Sequence, residues 1–129
     1  QAAAGTLYYP LEFTNTSRRT CTLDGYPRVA LTTRMAPSSQ VGFAARRDAE
    51  KPALVITLAP AATASATIWM EDTSFYTGSS ISMCDPVSVS YLQVYPPGQT
   101  SAAYLPYTGQ GCSKGVHLGA MTVQAGSGG

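Results

Sequence analysis

The most regular pattern in the chain runs over residues 63–70, where Ala64, Ala66, Ile68 and Met70 alternate with Thr63, Ser65, Thr67 and Trp69. A period of two is the mark of a half-buried strand. The same period carries Leu7, Tyr9, Leu11 and Phe13 on one side and Tyr8, Pro10, Glu12 and Thr14 on the other. Pro10 has no N–H to give to a ladder, so this strand is expected at a sheet edge or bulged at that residue. Further strand signals cover 28–33, 40–45, 54–58, 87–95, 102–107 and 117–123. Residues 87–95 are rich in β-branched and aromatic side chains, and Pro96-Pro97-Gly98 ends them.

Turn chemistry separates these runs. Asn15-Thr16-Ser17 reads as a turn in which short polar side chains bond nearby backbone. It also fits the N-glycosylation acceptor triplet, which matters only in a glycosylating host. Asp24-Gly25-Tyr26-Pro27 is a second turn, and Ala59-Pro60-Ala61-Ala62 looks like a hairpin connection between the strands at 54–58 and 63–70. No segment carries apolar residues at three-and-four spacing over ten or more positions. About eight short strands with regular turns predict an all-β fold, a sandwich or a barrel. One domain is expected over 7–124, with an N-terminal tail at 1–6 and a flexible, Gly-rich C-terminal tail at 125–129.

A length of 129 residues supports one such domain and its core. Only 12% of residues are charged, about half the usual share, so hydroxyls and small residues build the surface, as suits an extracellular domain. The net charge of +1 argues against nucleic-acid binding, which needs a basic patch. Arg18-Arg19 and Arg46-Arg47 are the nearest to one; the second pair is followed by Asp48 and Glu50, and both read as solvated turn residues. No apolar run is long enough to span a membrane. No signal-peptide pattern is present, so an exported form is expected to have lost its signal.

The cysteines, Cys21, Cys84 and Cys112, form no Cys-x-x-Cys pair, and the single histidine, His117, is far in sequence from two of them. A four-ligand zinc site therefore has no support. An odd count suggests one disulfide and one cysteine without a partner in the chain; the alternative is three reduced cysteines in a cytosolic protein, which the composition disfavours. Nucleophilic catalysis needs a base beside a serine or cysteine, and His117, flanked by Val116 and Leu118, reads as a surface or half-buried strand residue. There is no Gly-x-Ser-x-Gly elbow and no phosphate-binding glycine loop. Glu71 and Asp72, as neighbours, point to opposite faces of an extended chain, and with Asp85 they lack the Asp-x-Asp-x-Asp-Gly pattern of a calcium loop. Catalytic, metal and cofactor sites are thus expected to be absent. The candidate binding segment is the polar loop 71–82, where Phe75 and Tyr76 lie beside Glu71 and Asp72. The competing reading has Phe75 closing the end of the core.

Tyr8-Tyr9-Pro10-Leu11, Phe13-Thr14-Asn15-Thr16-Ser17 and Cys21-Thr22-Leu23-Asp24-Gly25-Tyr26-Pro27 together form a distinctive opening. Residues 55–66 with their Leu-Ala-Pro centre, Cys84-Asp85-Pro86-Val87, Leu92-Gln93-Val94-Tyr95-Pro96-Pro97-Gly98-Gln99-Thr100, and Cys112 before the last strand continue it. Over nearly its whole length the chain resembles an actinobacterial family of secreted proteins and lipoproteins known as domain of unknown function 4232. The resemblance implies export, an immunoglobulin-like antiparallel β-sandwich of about seven to eight strands, and no known activity. Relatives carry another cysteine upstream of the Tyr-Tyr-Pro segment. The resemblance therefore leaves Cys21 unpaired or bonded outside this chain, and leaves Cys84 and Cys112 as the disulfide.

These readings converge on a non-catalytic module, secreted or held at the cell envelope, that binds or displays, with a protein or glycan at the cell surface as partner. One alternative is a structural subunit whose open strand edge is completed by another chain. The other is a secreted enzyme or protease inhibitor.

Overall fold

The computed structural model describes residues 2–3, 5–50 and 52–126; the side chain of Phe75 lies outside that description. In chain order the strands are β1 (Ala2–Ala3), β2 (Thr6–Thr14), β3 (Cys21–Asp24), β4 (Arg28–Thr32), β5 (Gln40–Val41) and β6 (Arg46–Arg47). They continue as β7 (Val55–Leu58), β8 (Thr63–Glu71), β9 (Pro86–Tyr95), β10 (Ala103–Cys112), β11 (Leu118–Ala120) and β12 (Gln124–Ala125). About half of the described residues are in strands, and the helical content is limited to short 3-10 turns at Pro37–Ser39, Thr73–Phe75 and Gly78–Met83. The protein is mostly β, as the alternation predicts. Among the described residues no helix is long and apolar enough to cross a membrane.

Three sheets form. The largest has the order β1-β2-β8-β11-β6, with β12 also on β8; the second is β10-β9-β4-β5; the third is the pair β3-β7. The alternating face of β8 is the centre of the molecule: Ala64, Ala66, Ile68 and Met70 are all buried. Ile68 and Met70 join Leu11 of β2 and Leu118 and Ala120 of β11. They meet Val29 and Leu31 of β4 and Val89, Leu92 and Val94 of β9 in one cluster. Each large aliphatic side chain buried there contributes about 1.5–3 kcal/mol. That shared core holds the two larger sheets together. Leu23, Leu58, Ala64 and Val123 form a second cluster that ties the small sheet to β8.

Pro10 lies where β2 has β8 on one side and, among the described residues, no strand on the other beyond the two-residue β1, so the edge reading is what the sheet shows. Several other expectations are corrected. Residues 59–62 turn the chain but do not make a hairpin, since β7 pairs with β3 and β8 with β2. Leu58 and Ala64 share the second cluster, which sends the chain from one sheet to another. Ala61 takes φ 68° there, and the turn is fastened to Asn15 by backbone bonds of 3.0 and 2.8 Å.

Asn15 itself is buried, and its amide donates to the carbonyls of Arg19 (2.7 Å) and Leu58 (3.0 Å). Its Oδ1 accepts from the backbone N–H and hydroxyl of Ser17, so the triplet is a turn whose amide is already committed. Arg46-Arg47 is not a turn: it is strand β6, parallel to β11, with exposed side chains on a paired backbone. The strand expected over 40–45 ends at Val41, because Gly42 turns at φ +70° against Cys112, whose carbonyl oxygen would lie 2.2 Å from a Cβ. The strand expected to end at 107 runs on to Cys112 past an irregularity between Pro106 and Gly109. The tails are partly structured. Ala2–Ala3 pair with Thr6 and Leu7, and Gln124–Ala125 pair with β8. Positions 1, 4 and 127–129 of the expected tails lie outside the described residues.

Candidate functional site

The segment expected to be a long polar loop leaves β8 at Glu71 and returns at Cys84. Asp72 caps the Thr73–Phe75 turn: its Oδ1 accepts from the Ser74 hydroxyl (2.8 Å) and backbone N–H (3.0 Å). Those two bonds, the hydroxyl's first, hold the Asp72 carboxyl below its ordinary range. Tyr76 then folds back and donates its phenolic proton to Glu71 Oε2. The same oxygen lies 2.8 Å from Nδ1 of His117, which precedes β11. The Tyr76 and His117 rings meet edge to face, with centroids 5.5 Å apart.

Burial by itself raises the Glu71 carboxyl, but the bonds from Tyr76 and His117 and the charges of His117 and Arg46 outweigh it, so the net shift is downward. The bond to Glu71, then burial and the carboxylate charge, raise the Tyr76 phenol. The other ring nitrogen of His117, Nε2, is 2.6 Å from the Lys114 carbonyl. Each imidazole nitrogen thus faces an acceptor oxygen. Gly115, at φ +79°, lets the 113–116 turn pass, since a Cβ there would lie 2.8 Å from Nε2.

A second tie closes the far end of the segment. Cys84 and Cys112 form a disulfide with Cα atoms 4.5 Å apart, as expected. Around it Lys114 N–H bonds the Cys84 carbonyl (3.1 Å), and the Ser113 hydroxyl bonds that of Asp85 (2.8 Å). Residues 72–83 are therefore held at both ends, by a polar cluster and by a covalent bond. Cys21 is unpaired in this chain and half-buried on β3.

Of the residues singled out from the sequence, Glu71 and Tyr76 come together, but their polar groups are used on each other and on His117. Asp72 serves its own turn, and the side chain of Phe75 lies outside the described residues. Asp85 does not join Glu71 and Asp72: among the described residues no three metal-ligating side chains converge. The cleft beside His117, lined by Val41, Phe43 and Met70, encloses only about 20 Å³, room for one water.

Among the polar residues exposed at this end, such as Ser79, Ser82 and Lys114, stand several large apolar side chains. Met83 is 65% exposed and Phe43 61%, and Ile81 and Val116 are also exposed. Phe43 shares the cleft with Cys112 and Gly115, and Met83 is next to Cys84 in the chain. Nothing in the sequence marks them, because an apolar residue outside a strand pattern looks the same whether it is buried or displayed.

Comparison with curated proteins and with solved structures finds no match. The family model described as a domain of unknown function (DUF4232) matches residues 1–126, and with that match over nearly its whole length the chain belongs to this family.

Proposed function

We propose that this domain is a non-catalytic binding or display module of the cell envelope or extracellular space. On this reading its scaffold is an immunoglobulin-like sandwich, and it engages a protein partner through its disulfide-tied end. The observation that carries the reading is the display of Phe43, Ile81, Met83 and Val116 around a segment fixed at both ends. Exposed apolar groups on a preorganised surface are what partner recognition uses. A disulfide and a charge-poor surface support an oxidising compartment outside the cytosol. The shared core of the two larger sheets supports the sandwich.

Both ring nitrogens of His117 are already engaged within the protein, one at Glu71 and the other at the Lys114 carbonyl, which supports a non-catalytic role. Completion by strand addition has less support. Both long sheet edges carry a proline, Pro10 in β2 and Pro106 in β10, and proline interrupts a donor ladder.

The test uses the double variant Phe43→Ser, Met83→Ser. Immobilised wild-type domain and variant are exposed to the same envelope extract. A protein held by the wild type and lost by the variant, at unchanged Tm, supports the reading. Equal retention by both, or no retained protein, overturns it.

A further inference from the structure

At the other end of β9 lies a second groove, of about 360 Å³ and open to solvent. Its walls come from Tyr26, Arg28, Arg47, Tyr95, Gln99 and Thr100. The Arg28 guanidinium lies 5.7 Å from the centre of the Tyr95 ring, and that of Arg47 lies 5.5 Å from the centre of the Tyr26 ring. Both arginines are exposed, and among the described residues neither has a carboxylate within ion-pairing distance.

A guanidinium held over a ring by cation–π attraction still has N–H groups to offer another partner. Here two such groups border one cleft, each within cation–π range of a ring that lines it. That is a preorganised receptor for an oxyanion, which a guanidinium fork grips in bidentate fashion. The 96–99 turn that lines the groove is fixed as well: Gly98 turns at φ +77°, and Gln99 N–H bonds the Pro96 carbonyl at 2.9 Å.

We propose that this groove binds an acidic saccharide, a carboxylate- or phosphate-bearing sugar whose oxyanion is held between Arg28 and Arg47. The hydroxyl-rich partner follows from the remaining wall. Gln99 and Thr100 offer an amide and a hydroxyl beside the Tyr26 and Tyr95 rings, a wall of hydrogen-bonding groups and aromatic rings that suits a hydroxyl-rich sugar. The net charge of +1 places the attraction in this local pair and not in a general field. The site is separate from the apolar end. Pro86 pairs with Cys112 at one end of β9 and Tyr95 with Arg28 at the other, a span of about 30 Å for ten residues.

The experiment is an NMR titration of the isotopically labelled domain with four probes: tetragalacturonate, glucose 1-phosphate, neutral maltotetraose and tetraglutamate. The first two separate carboxylate from phosphate. The expected result is saturable shifts confined to residues 26–28, 47 and 95–100 with at least one acidic sugar, and none with maltotetraose. Arg28→Gln with Arg47→Gln weakens that binding by about tenfold or more. Arg28→Lys with Arg47→Lys, which keeps the charge but not the fork, loses most of it too. Melting curves matching the wild type establish that the variants fold, as exposed positions should allow. Absence of binding by both acidic sugars, binding unchanged in the glutamine variant, equal binding of maltotetraose, or tighter binding of tetraglutamate would each overturn the proposal. None of these results depends on Phe43 or Met83, so this reading and the apolar-end reading stand or fall separately.

Discussion

Gly119→Ala is a substitution whose cost can be worked from the structure and read at one side chain. Gly119 on β11 sits opposite Trp69 on β8, and the indole lies over it. A Cβ at 119 would come 2.1 Å from Cε2, 2.2 Å from Nε1 and 2.4 Å from Cζ2 of Trp69. Carbon atoms in contact sit about 3.5–4.0 Å apart, so the ring must move by roughly 1.5 Å. It cannot do so alone, because the Arg46 guanidinium stacks 5.1 Å from the centre of the Trp69 ring. Overpacking of this kind costs about 1–3 kcal/mol. The weakened cation–π contact adds about 0.5–1 kcal/mol. The lower chain entropy of alanine returns about 0.5–1 kcal/mol. The expected net loss is about 1–3 kcal/mol, a fall in Tm of roughly 5–10 °C for a domain of this size. Trp69 is the only tryptophan, so its fluorescence reports the displacement directly. Chemical denaturation followed at that wavelength gives the energy, and the native-state spectrum gives the ring's environment. In a Trp69→Ala background the same glycine substitution should be neutral or stabilising. An unchanged native spectrum with an unchanged or raised Tm, or an equal cost in both backgrounds, would show that the ring does not lie where we place it.

Replacing Cys84 and Cys112 together by serine should lower stability by about 3–4 kcal/mol, the chain-entropy value for their separation of 28 residues; thiol titration of the denatured wild type should find Cys21 alone, and three reactive groups would contradict the pairing. Glu71 is ionised more readily in the folded chain than at its ordinary value of 4.5, so its share of stability is fully present above that pH and is lost as pH falls through the lower folded value. Glu71→Gln should therefore be less stable at neutral pH and show a shallower loss on acidification; an acid limb identical to the wild type in a denaturation series would refute this. The hydroxyl of Thr32 is buried without a hydrogen-bond partner among the described residues, so Thr32→Val should hold or gain about 1 kcal/mol, and a clear loss of stability on urea denaturation would count against that placement.

β8 and β2 are legible because each alternates in sequence, although Tyr9 of the apolar set in β2 is exposed and Ser65 of the polar set in β8 is buried. Pro10 carried its edge position in its chemistry, since only an unpaired side tolerates it. Short strands escaped notice. Nothing in Arg46-Arg47 suggests pairing, because the sheet there uses backbone alone and the side chains stack on Trp69 and Tyr26, rings that are distant in the sequence. The cluster at Glu71 shows the same limit. Tyr76 is five residues away and in view, whereas His117 is 46 residues away and reaches Glu71 only through the register of β11 on β8. The change of sheet at 59–62 was hidden for a similar reason: a Pro-Ala turn reads the same whether the strands it joins pair with each other or with different partners.

The cross-link between Cys84 and Cys112 also sets how far the chain can be drawn out. Both β2 and β12 run antiparallel to β8 on its two sides, so tension applied through them pulls in opposite directions along that strand. Nine residue pairs resist on the β2 side and two on the β12 side, so β12 yields first. However far the rest is unravelled, the 28-residue interval bearing β9 and β10 stays closed as a covalent ring. An oxidised chain under load should therefore reach full extension roughly 95 Å shorter than a reduced one, with reductant as the switch between two lengths.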